Sequence, residues 1–334
     1  MQLSASLYSN DALPLQTLVQ ELDRHQVDFF HIDCPDRPAV FADVEAIRAI
    51  SHTPIDLHLI TPHPTPYLHT VERLGIEWVS YQYEDLRDPR EIPGDVPWQQ
   101  GLALTAQTPV EVFDQVADRC SFVLFMATIP GRSGGQFHVD TFRRIRAFRR
   151  RYPAVRVHVD GGVNAEVSFI LRNMGVSAVV SGSYLLNGHS IGAAMLHLKA
   201  STRGSAYRVR DFMLSGDEVP VLAETTATFR EVLLAIENHR QGLVIMTDDD
   251  GALAGIITNA DVRRGLLRHF DRPGDIAVAD LINRQPVYAQ ADDSVSDLLR
   301  IIRQTPFPVN YLPVVEANKR VCGLVTFFEL VKGE

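Results

Sequence analysis

The chain has 334 residues, of which 46% are hydrophobic and 22% are charged, and its formal net charge is −9. This length predicts two domains with enough core to fold without disulfides or structural metals, and the acidic balance argues against a nucleic-acid partner. The three cysteines form no CxxC pair, and neither a secretory leader nor an apolar run of membrane-spanning length stands out. We therefore expect a cytoplasmic protein that binds neither nucleic acid nor membrane.

The first 200 residues alternate short apolar runs with helical patterns, which is typical of α/β folds. The eight apolar runs, interpreted as strands, are Gln2–Leu7, Asp28–Asp33, Ile55–Ile60, Trp78–Gln82, Gly101–Leu104, Phe122–Ala127, Val155–Asp160 and Ala178–Ser181. The helical patterns between them include Leu15–His25, Val40–Ala49, Pro66–Leu74, Val110–Ala117, Val139–Arg151 and Ala165–Met174. Eight βα units favour a (β/α)8 TIM barrel, and an open doubly wound sheet is the alternative.

An internal repeat follows a segment rich in Ser, Thr, Gly and Arg, which predicts a linker over residues 201–216. Three pairs of similar segments define the repeat, at offsets of 66, 69 and 68 residues. They are Val219–Val221 with Gln285–Val287, Leu243–Met246 with Leu312–Val315, and Gly255–Thr258 with Gly323–Thr326. Each half is predicted to run strand, helix, strand, turn, strand, helix. Two α/β halves of this size are expected to pack on each other within residues 217–334.

Four polar residues stand at the ends of predicted barrel strands: His31, Asp33, His58 and Asp160. Side chains at positions i and i+2 of a strand share a face, and the carboxyl ends of barrel strands form the catalytic face. Two imidazoles and two carboxylates suit zinc, iron or manganese. The alternative for any one of these residues alone is a helix cap or a hydrogen-bonded polar side chain.

Glycine-rich loops follow the sixth, seventh and eighth predicted strands. Glycine lets backbone N–H groups approach an anion closely, and loops after strands seven and eight often bind phosphate in this fold. The candidate phosphate-binding residues here are Gly134, Gly135, Gly161, Gly162 and Gly182.

Residues 2–187 resemble the ribulose-phosphate 3-epimerase family in motifs that occur in the family order. The stretches that carry the resemblance are Ser6–Asp11, His31–Asp36, Asp56–Leu59, Met126–Gln136, Val159–Gly162 and Ser181–Ser183. The resemblance implies one divalent metal on His31, Asp33, His58 and Asp160. It also implies a sugar phosphate held by the glycine loops and Ser183, with Ser6 helping to orient the site.

Inversion at C3 of a ketose phosphate requires a proton to leave one face and another to arrive on the opposite face. Two opposed carboxylates can do this, so Asp33 and Asp160 are expected to alternate as base and acid through an enediolate. The resemblance gives the same two residues this role. The sequence departs from the family pattern at Pro35–Arg37, at Ile60, at Gln82 (where the family has His) and at Arg132 in the loop after strand six. These departures leave the identity of the sugar open.

The repeat resembles a tandem CBS pair through Leu253–Arg264 and Val321–Thr326. That resemblance implies an adenine nucleotide (AMP, ADP or ATP) at Thr258 and Asp261, with Glu329 in the corresponding acidic position of the second half. A dimerisation module without nucleotide is the alternative. The predicted organisation is an epimerase-like barrel over 1–200, a linker over 201–216 and a CBS pair over 217–334.

Three functional hypotheses follow. The first is an isomerase that interconverts D-ribulose 5-phosphate and D-xylulose 5-phosphate, or a close analogue, under nucleotide control. The second changes the substrate to a hexulose 6-phosphate, and the third is a catalytically idle sugar-phosphate sensor. A homo-oligomer is expected because CBS pairs commonly associate.

Overall fold

The structure is a computed structural model that describes residues 1–10, 12–128, 134–188, 190–199 and 207–327. The chain divides into two compact units near residue 202. The first unit contains a closed eight-stranded sheet, and the second contains two three-stranded sheets. Within the described ranges, no helix combines the length and apolar character needed to cross a membrane.

Eight parallel strands form the barrel of the first unit. They are β1 (Gln2–Ser6), β2 (Phe29–Cys34), β3 (Ile55–Leu59), β4 (Trp78–Gln82), β5 (Gln99–Leu104), β6 (Phe122–Met126), β7 (Arg156–Asp160) and β8 (Ala178–Ser181). β1 pairs in parallel with both β2 and β8, so that Ser4 lies opposite Phe29 on one side and Val180 on the other. This closure confirms the predicted (β/α)8 barrel and rules out the open sheet.

The α-helices of the first unit lie between or after these strands. They are α1 (Leu15–Arg24), α2 (Val40–Arg48), α3 (Thr65–Arg73), α4 (Asp140–Arg151), α5 (Ala165–Asn173), α6 (Ser183–Leu186) and α7 (Ile191–Lys199). Single 3₁₀ turns occupy Leu7–Ser9 and Pro89–Glu91. The predicted patterns for α1 to α5 match these helices closely. The sequence patterns did not identify α7, which packs on α5 through a hydrogen bond from Ser168 Oγ to the Leu198 carbonyl at 2.6 Å.

One predicted helix, Val110–Ala117, has a different form. The structure has a 3₁₀ helix over Val110–Gln115 instead. The inward residues Val110, Phe113 and Val116 are all buried and stand three positions apart. A spacing of three matches the three residues per turn of a 3₁₀ helix rather than the 3.6 of an α-helix.

The barrel buries both an apolar cluster and a set of polar side chains. Phe122, Leu124 and Met126 of β6 pack with Ala103 and Val180 in one buried cluster. Four polar side chains of β1 to β3 are buried as well, namely Ser4, His31, Asp56 and His58. A buried polar group must be hydrogen-bonded or must serve a ligand, so these four residues are the place to look for a site.

The second unit contains two halves with the same internal arrangement. Its strands are β9 (Val221–Ala223), β10 (Leu243–Thr247), β11 (Leu253–Thr258), β12 (Ala289–Gln290), β13 (Tyr311–Val315) and β14 (Val321–Thr326). Its α-helices are α8 (Val209–Phe212), α9 (Phe229–His239), α10 (Asn259–Arg268) and α11 (Val295–Gln304), with 3₁₀ turns at Gly216–Glu218, Pro273–Asp275 and Val278–Leu281. The sheet orders are β11-β10-β9 and β12-β13-β14.

The repeat is therefore present as predicted, with one correction of register. In each half the central strand pairs in parallel with the first strand and antiparallel with the last. Ile245 lies opposite Val221, and Val314 lies opposite Ala289. The structural counterpart of β9 is thus β12, and the predicted counterpart at Gln285–Val287 comes too early because Pro286 and Val287 precede the strand.

The predicted linker over 201–216 also differs from the structure. Residues 200–206 lie outside the described residues. Val209 and Phe212 of α8 are buried, and Leu214 exchanges backbone hydrogen bonds with Leu324 of β14. The segment from α8 onward therefore belongs to the second unit, since it covers apolar surface on that unit's own sheet. The remaining domain boundaries stay predictions.

Candidate active site and metal centre

The four predicted ligands meet at the carboxyl end of the barrel. In the β2–β3 register, His31 lies opposite Asp56 and Asp33 lies opposite His58. Asp160 ends β7, which is separated from β2 by β8 and β1. One donor atom from each of His31, Asp33, His58 and Asp160 lies within 4.8 Å of all the others. Strand alternation and barrel closure together bring these residues from three strands into one cluster.

His31 is oriented by a buried carboxylate. Its Nδ1 lies 2.9 Å from Asp56 Oδ2, and the same oxygen accepts a hydrogen bond from Ser4 Oγ at 3.0 Å. Burial opposes ionisation of Asp56, but the charge and hydrogen bond of His31 outweigh it and lower the pKa of the carboxyl. An ionised Asp56 can only accept, so His31 donates through Nδ1–H and turns Nε2 toward the site.

The other nitrogen of His31 is a buried polar atom without a partner. Nε2 makes no hydrogen bond within the described part of the chain. It faces Asp33 Oδ1 at 3.4 Å and Asp160 Oδ2 at 3.7 Å. An unpaired buried nitrogen is costly and needs an explanation. A metal ion bound between this nitrogen and the carboxylates would provide one, because histidine ligands typically donate their second N–H to a carboxylate.

His58 is held on both sides of its ring. Its Nδ1 lies 3.0 Å from Asp33 Oδ1, and its Nε2 lies 2.9 Å from Gln82 Oε1. The Gln82 side chain is buried at the end of β4 and donates its amide to Glu84 and to the Ala103 carbonyl. The ring of His58 therefore has one nitrogen facing the site and one nitrogen bound to the protein.

The two candidate catalytic carboxyls occupy different electrostatic environments. Burial opposes ionisation of Asp33, but the two imidazoles beside it, His31 and His58, outweigh burial and hold the pKa of its carboxyl well below the usual range. Burial raises the pKa of Asp160 to about 6. The pKa of Asp33 is thus set mainly by its close contacts with the imidazoles, whereas the pKa of Asp160 is set mainly by desolvation.

These donors fit a divalent metal. Two imidazole nitrogens and two carboxylate oxygens form a set that suits zinc, iron or manganese. The unpaired Nε2 of His31 and the compactness of the cluster are the structural observations that support the fit.

The glycine loops surround the same end of the barrel. Gly161 and Gly162 have φ values of 108° and 64°, which side chains rarely adopt. A Cβ on Gly162 would lie 2.3 Å from the Phe137 backbone nitrogen, and one on Gly182 would lie 2.1 Å from Ser9 Oγ. These glycines therefore let backbone segments pack closely, in addition to any role toward an anion.

The other predicted phosphate residues are distributed as follows. A Cβ on Gly135 would lie 2.7 Å from Thr128 Cγ2, whereas one on Gly134, which has φ 83°, would meet no atom of the described residues within 4 Å. Ser183 is the first residue of α6. Ser6 lies opposite His31 in the sheet, and its Oγ is 2.9 Å from Ser9 Oγ. Arg132 and the rest of 129–133, together with Asp11, lie outside the described residues.

Sequence reasoning missed two orienting groups. The sequence analysis predicts no separate role for Asp56, although its position two residues before His58 places it on the same face of β3. The sequence identifies Gln82 only as a departure from the family pattern, whereas in the structure its side chain contacts His58. The sequence signal for Asp56 was its spacing of two residues from His58 along the strand. No pattern in the neighbouring sequence indicated the contact between Gln82 and His58.

In the second unit, Thr258 and Asp261 form a capping box at the start of α10. Thr258 Oγ1 donates to Asp261 Oδ2 at 2.6 Å, and the Asp261 N–H lies 3.3 Å from Thr258 Oγ1. Thr228 with Glu231 and Ser294 with Asp297 make the same arrangement at α9 and α11. The predicted nucleotide residues thus have a structural role. Glu329 lies outside the described residues.

A separate open groove lies in the second half of this unit, with a volume of about 380 Å³. Its lining combines apolar and aromatic side chains from the segment before β12 with the end of α11 and the residues after it. The lining residues are Pro286, Val287, Tyr288, Ile301, Gln304, Thr305, Pro306 and Phe307. Thr258 and Asp261 do not line it.

The fold and the site define a (β/α)8-barrel enzyme with an appended α/β repeat. The chain belongs to the ribulose-phosphate 3-epimerase family, whose model matches residues 2–186, and it is therefore an isomerase. A CBS domain model matches residues 209–268 and 278–333, which identifies the repeat as a CBS pair.

Individual relatives are distant but cover the barrel. The cytoplasmic isoform of ribulose-phosphate 3-epimerase from Oryza sativa is 25% identical over 217 residues, covering 61% of this chain and 95% of its own. The Bacillus subtilis ribulose-phosphate 3-epimerase is 26% identical over 197 residues, covering 55% and 91%. Among solved structures, the CBS-pair protein CBSX2 from Arabidopsis thaliana is 22% identical, covering 38% of this chain and 92% of its own, with a TM-score of 0.32.

Proposed function

We propose that the barrel epimerises C3 of a ketose phosphate, with D-ribulose 5-phosphate and D-xylulose 5-phosphate as the substrate pair. The observation that carries the proposal is the cluster of His31, Asp33, His58 and Asp160, whose donor atoms lie within 4.8 Å of one another. Membership of the ribulose-phosphate 3-epimerase family supports the same reaction.

The two aspartates supply the proton transfers in this proposal. The proton on C3 is acidified by the neighbouring carbonyl, and inversion needs a base on one face and an acid on the other. Asp33 belongs to β2 and Asp160 belongs to β7, with two strands between them around the barrel. Asp33 and Asp160 would exchange the roles of base and acid when the reaction runs in the opposite direction.

A divalent metal on His31, Asp33, His58 and Asp160 would stabilise the negative charge of the enediolate as a Lewis acid. His31 and His58 would hold their ring positions through Asp56 and Gln82, which bind the nitrogens that face away from the cluster. Ser6, beside Ser9 and opposite His31, would orient the sugar.

The phosphate is assigned to the loops after β6, β7 and β8. Gly134, Gly135, Gly161, Gly162 and Gly182 offer backbone N–H groups, and Ser183 adds a hydroxyl at the start of α6. Loops after strands seven and eight are the frequent phosphate site of this fold, and the absence of a side chain at Gly161 and Gly162 lets their backbone amides approach an anion closely.

The reaction is tested by exchange of the C3 proton with solvent. The metal-loaded full chain is incubated in D₂O with D-ribulose 5-phosphate, and deuterium at C3 is followed by NMR together with formation of the epimer. Asp160→Asn and Asp33→Asn, with metal content measured in each, are expected to lose epimerisation by at least a hundredfold. Full epimerisation by either variant would contradict the two-aspartate mechanism.

The same assay separates the alternative substrates and the sensor. If the C3 proton of a hexulose 6-phosphate exchanges with solvent and that of ribulose 5-phosphate does not, the substrate is a hexulose 6-phosphate and the mechanism is unchanged. Binding of either sugar phosphate without exchange would identify the sensor. Exchange with neither sugar phosphate, in a metal-loaded preparation, would overturn the proposed reaction.

We also infer that the CBS pair binds an adenine nucleotide through Thr258 and Asp261 and modulates the barrel. Support comes from the CBS domain model, which matches both halves. Calorimetry of the full chain with AMP, ADP and ATP tests this inference. The absence of binding heat with all three nucleotides would contradict it. The identity of the metal, the homo-oligomeric state and the cytoplasmic location stay predictions.

A further inference from the structure

Gln82 is a buried amide in contact with a candidate metal ligand. It is the last residue of β4, it is 1% exposed, and its Oε1 lies 2.9 Å from His58 Nε2. A buried amide at this position cannot turn to solvent for its hydrogen bonds, so its partners determine its orientation.

The partners of Gln82 fix which end of its amide faces His58. The Gln82 Nε2 donates to the Glu84 carboxylate and to the Ala103 carbonyl at 3.4 Å. Both of those groups accept hydrogen bonds and, with Glu84 ionised, neither can donate. The NH₂ group of Gln82 must therefore face Glu84 and Ala103, which leaves the carbonyl oxygen to face His58.

The amide orientation in turn fixes the tautomer of His58. A carbonyl oxygen accepts only, so His58 must carry a proton on Nε2. In the neutral ring the lone pair then belongs to Nδ1, which lies 3.0 Å from Asp33 Oδ1. A lone pair directed at a carboxylate oxygen is unfavourable unless a cation lies between them.

Glu84 is itself held firmly. Its Oε1 accepts from the Thr105 N–H at 2.9 Å and from the Thr105 hydroxyl at 2.8 Å, and the Thr108 hydroxyl donates to the same oxygen. Thr108 is tied down in addition, because its carbonyl accepts from the Arg144 guanidinium at 2.6 Å. Gln82 is thereby attached to a rigid hydrogen-bonded group rather than to one mobile carboxylate.

The two histidines of the cluster have opposite arrangements. His31 donates from Nδ1 to Asp56 and presents Nε2, whereas His58 donates from Nε2 to Gln82 and presents Nδ1. We propose that Gln82, held by Glu84, is a positioning residue that fixes His58 as the Nε2–H tautomer and aims Nδ1 at the metal. This inference rests on the metal site of the proposed function but not on the identity of the sugar.

The test uses the full chain with Zn²⁺ or Co²⁺ as the probe. Gln82→Met keeps the length of the side chain and removes the acceptor. The exchanged pair Gln82→Glu with Glu84→Gln keeps an acceptor for His58 Nε2–H and reverses the second hydrogen bond. Ser80→Ala is the matched control, since Ser80 is buried on the same strand and its Oγ has no partner among the described residues.

Tautomers are read by long-range ¹H–¹⁵N correlation of the histidine rings in the Zn²⁺ form, and affinity is read by competition with a chelator. We expect His31 and His58 to show opposite tautomers in the native chain. Gln82→Met is expected to lose about tenfold or more in Zn²⁺ affinity and to change the Co²⁺ absorption spectrum. The exchanged pair is expected to regain most of that loss, and Ser80→Ala is expected to match the native chain.

The same Nδ1–H tautomer on both histidines would overturn the inference. Undiminished Zn²⁺ affinity and an unchanged Co²⁺ spectrum in Gln82→Met would also overturn it. These readouts need no substrate, so they stand apart from the proton-exchange assay. If the histidines show the expected tautomers but no C3 proton exchanges, the proposed reaction is contradicted and the role proposed for Gln82 still holds.

Discussion

His31 and Asp56 are joined inside the barrel by a 2.9 Å contact between Nδ1 and Oδ2 that solvent barely reaches. This contact determines which nitrogen of His31 faces the site, just as Gln82 does for His58. The orientation of the candidate metal ligands thus depends on groups that do not themselves belong to the cluster of four.

Asp56→Asn is expected to weaken metal binding by about ten- to a hundredfold, because an amide can no longer offer a charged acceptor to His31 Nδ1–H. Zn²⁺ content and affinity of the full chain provide the measurement. Ser4→Ala is the matched control, since it removes the other hydrogen bond to Asp56 Oδ2 and leaves His31 in place. Equal Zn²⁺ affinity in Asp56→Asn and Ser4→Ala would show that Asp56 does not orient the ligand.

Glu84 is expected to make folding sensitive to acid. Partial burial raises the pKa of its carboxyl, but hydrogen bonds from Thr108, Gln82 and Thr105 outweigh this and lower it below the ordinary 4.5. A carboxyl whose pKa is lowered on folding stabilises the fold above its unfolded value, and this contribution is lost as pH falls through the folded value. The melting temperature of the native chain should therefore exceed that of Glu84→Gln at neutral pH, with a difference that narrows below pH 4.5. A difference independent of pH would contradict this prediction.

Alanine substitutions at two glycines with positive φ allow the destabilisation from backbone strain to be distinguished from that caused by steric clashes. Among the residues that the structure describes, Gly134→Ala meets no atom within 4 Å, and it should cost about 1–2 kcal/mol from its backbone conformation alone. Gly162→Ala adds a clash with the backbone of Phe137 and should cost about 3 kcal/mol or more. Urea unfolding compares the two variants. The prediction is wrong if Gly134→Ala is the more destabilising of the two.

The barrel strands and the residues of the four-membered cluster could be predicted from the sequence because both depend on local patterns. Apolar runs mark the strands, and a period of two places His31 with Asp33 on one face. A local pattern also indicates the 3₁₀ form of Val110–Gln115, because Val110, Phe113 and Val116 stand three residues apart. The segment was nevertheless predicted as an α-helix, since its apolar spacing is compatible with both helix types.

Contacts between distant segments could not be predicted in the same way. The closure of the barrel, which depends on pairing between β1 and β8, was predicted only from the number of βα units and not from any local pattern in those two strands. The role of Gln82 depends on His58, Glu84 and Ala103 meeting across three strands and a loop. A single glutamine in the sequence carries no sign of such partners, because the amide's function is set by the neighbours that fold around it.

The capping box of Thr258 and Asp261 allows the nucleotide inference to be separated from helix stability. Thr258→Ala should cost about 1 kcal/mol, because α10 loses the side-chain acceptor at its first turn. Thr228→Ala should cost a similar amount, since Thr228 caps α9 in the same way and has no proposed contact with a nucleotide. If Thr258 contacts the nucleotide, only Thr258→Ala should also lose nucleotide affinity in calorimetry, by about tenfold. Equal losses of affinity in the two variants would assign Thr258 to the helix alone and leave the nucleotide to other residues of the CBS pair.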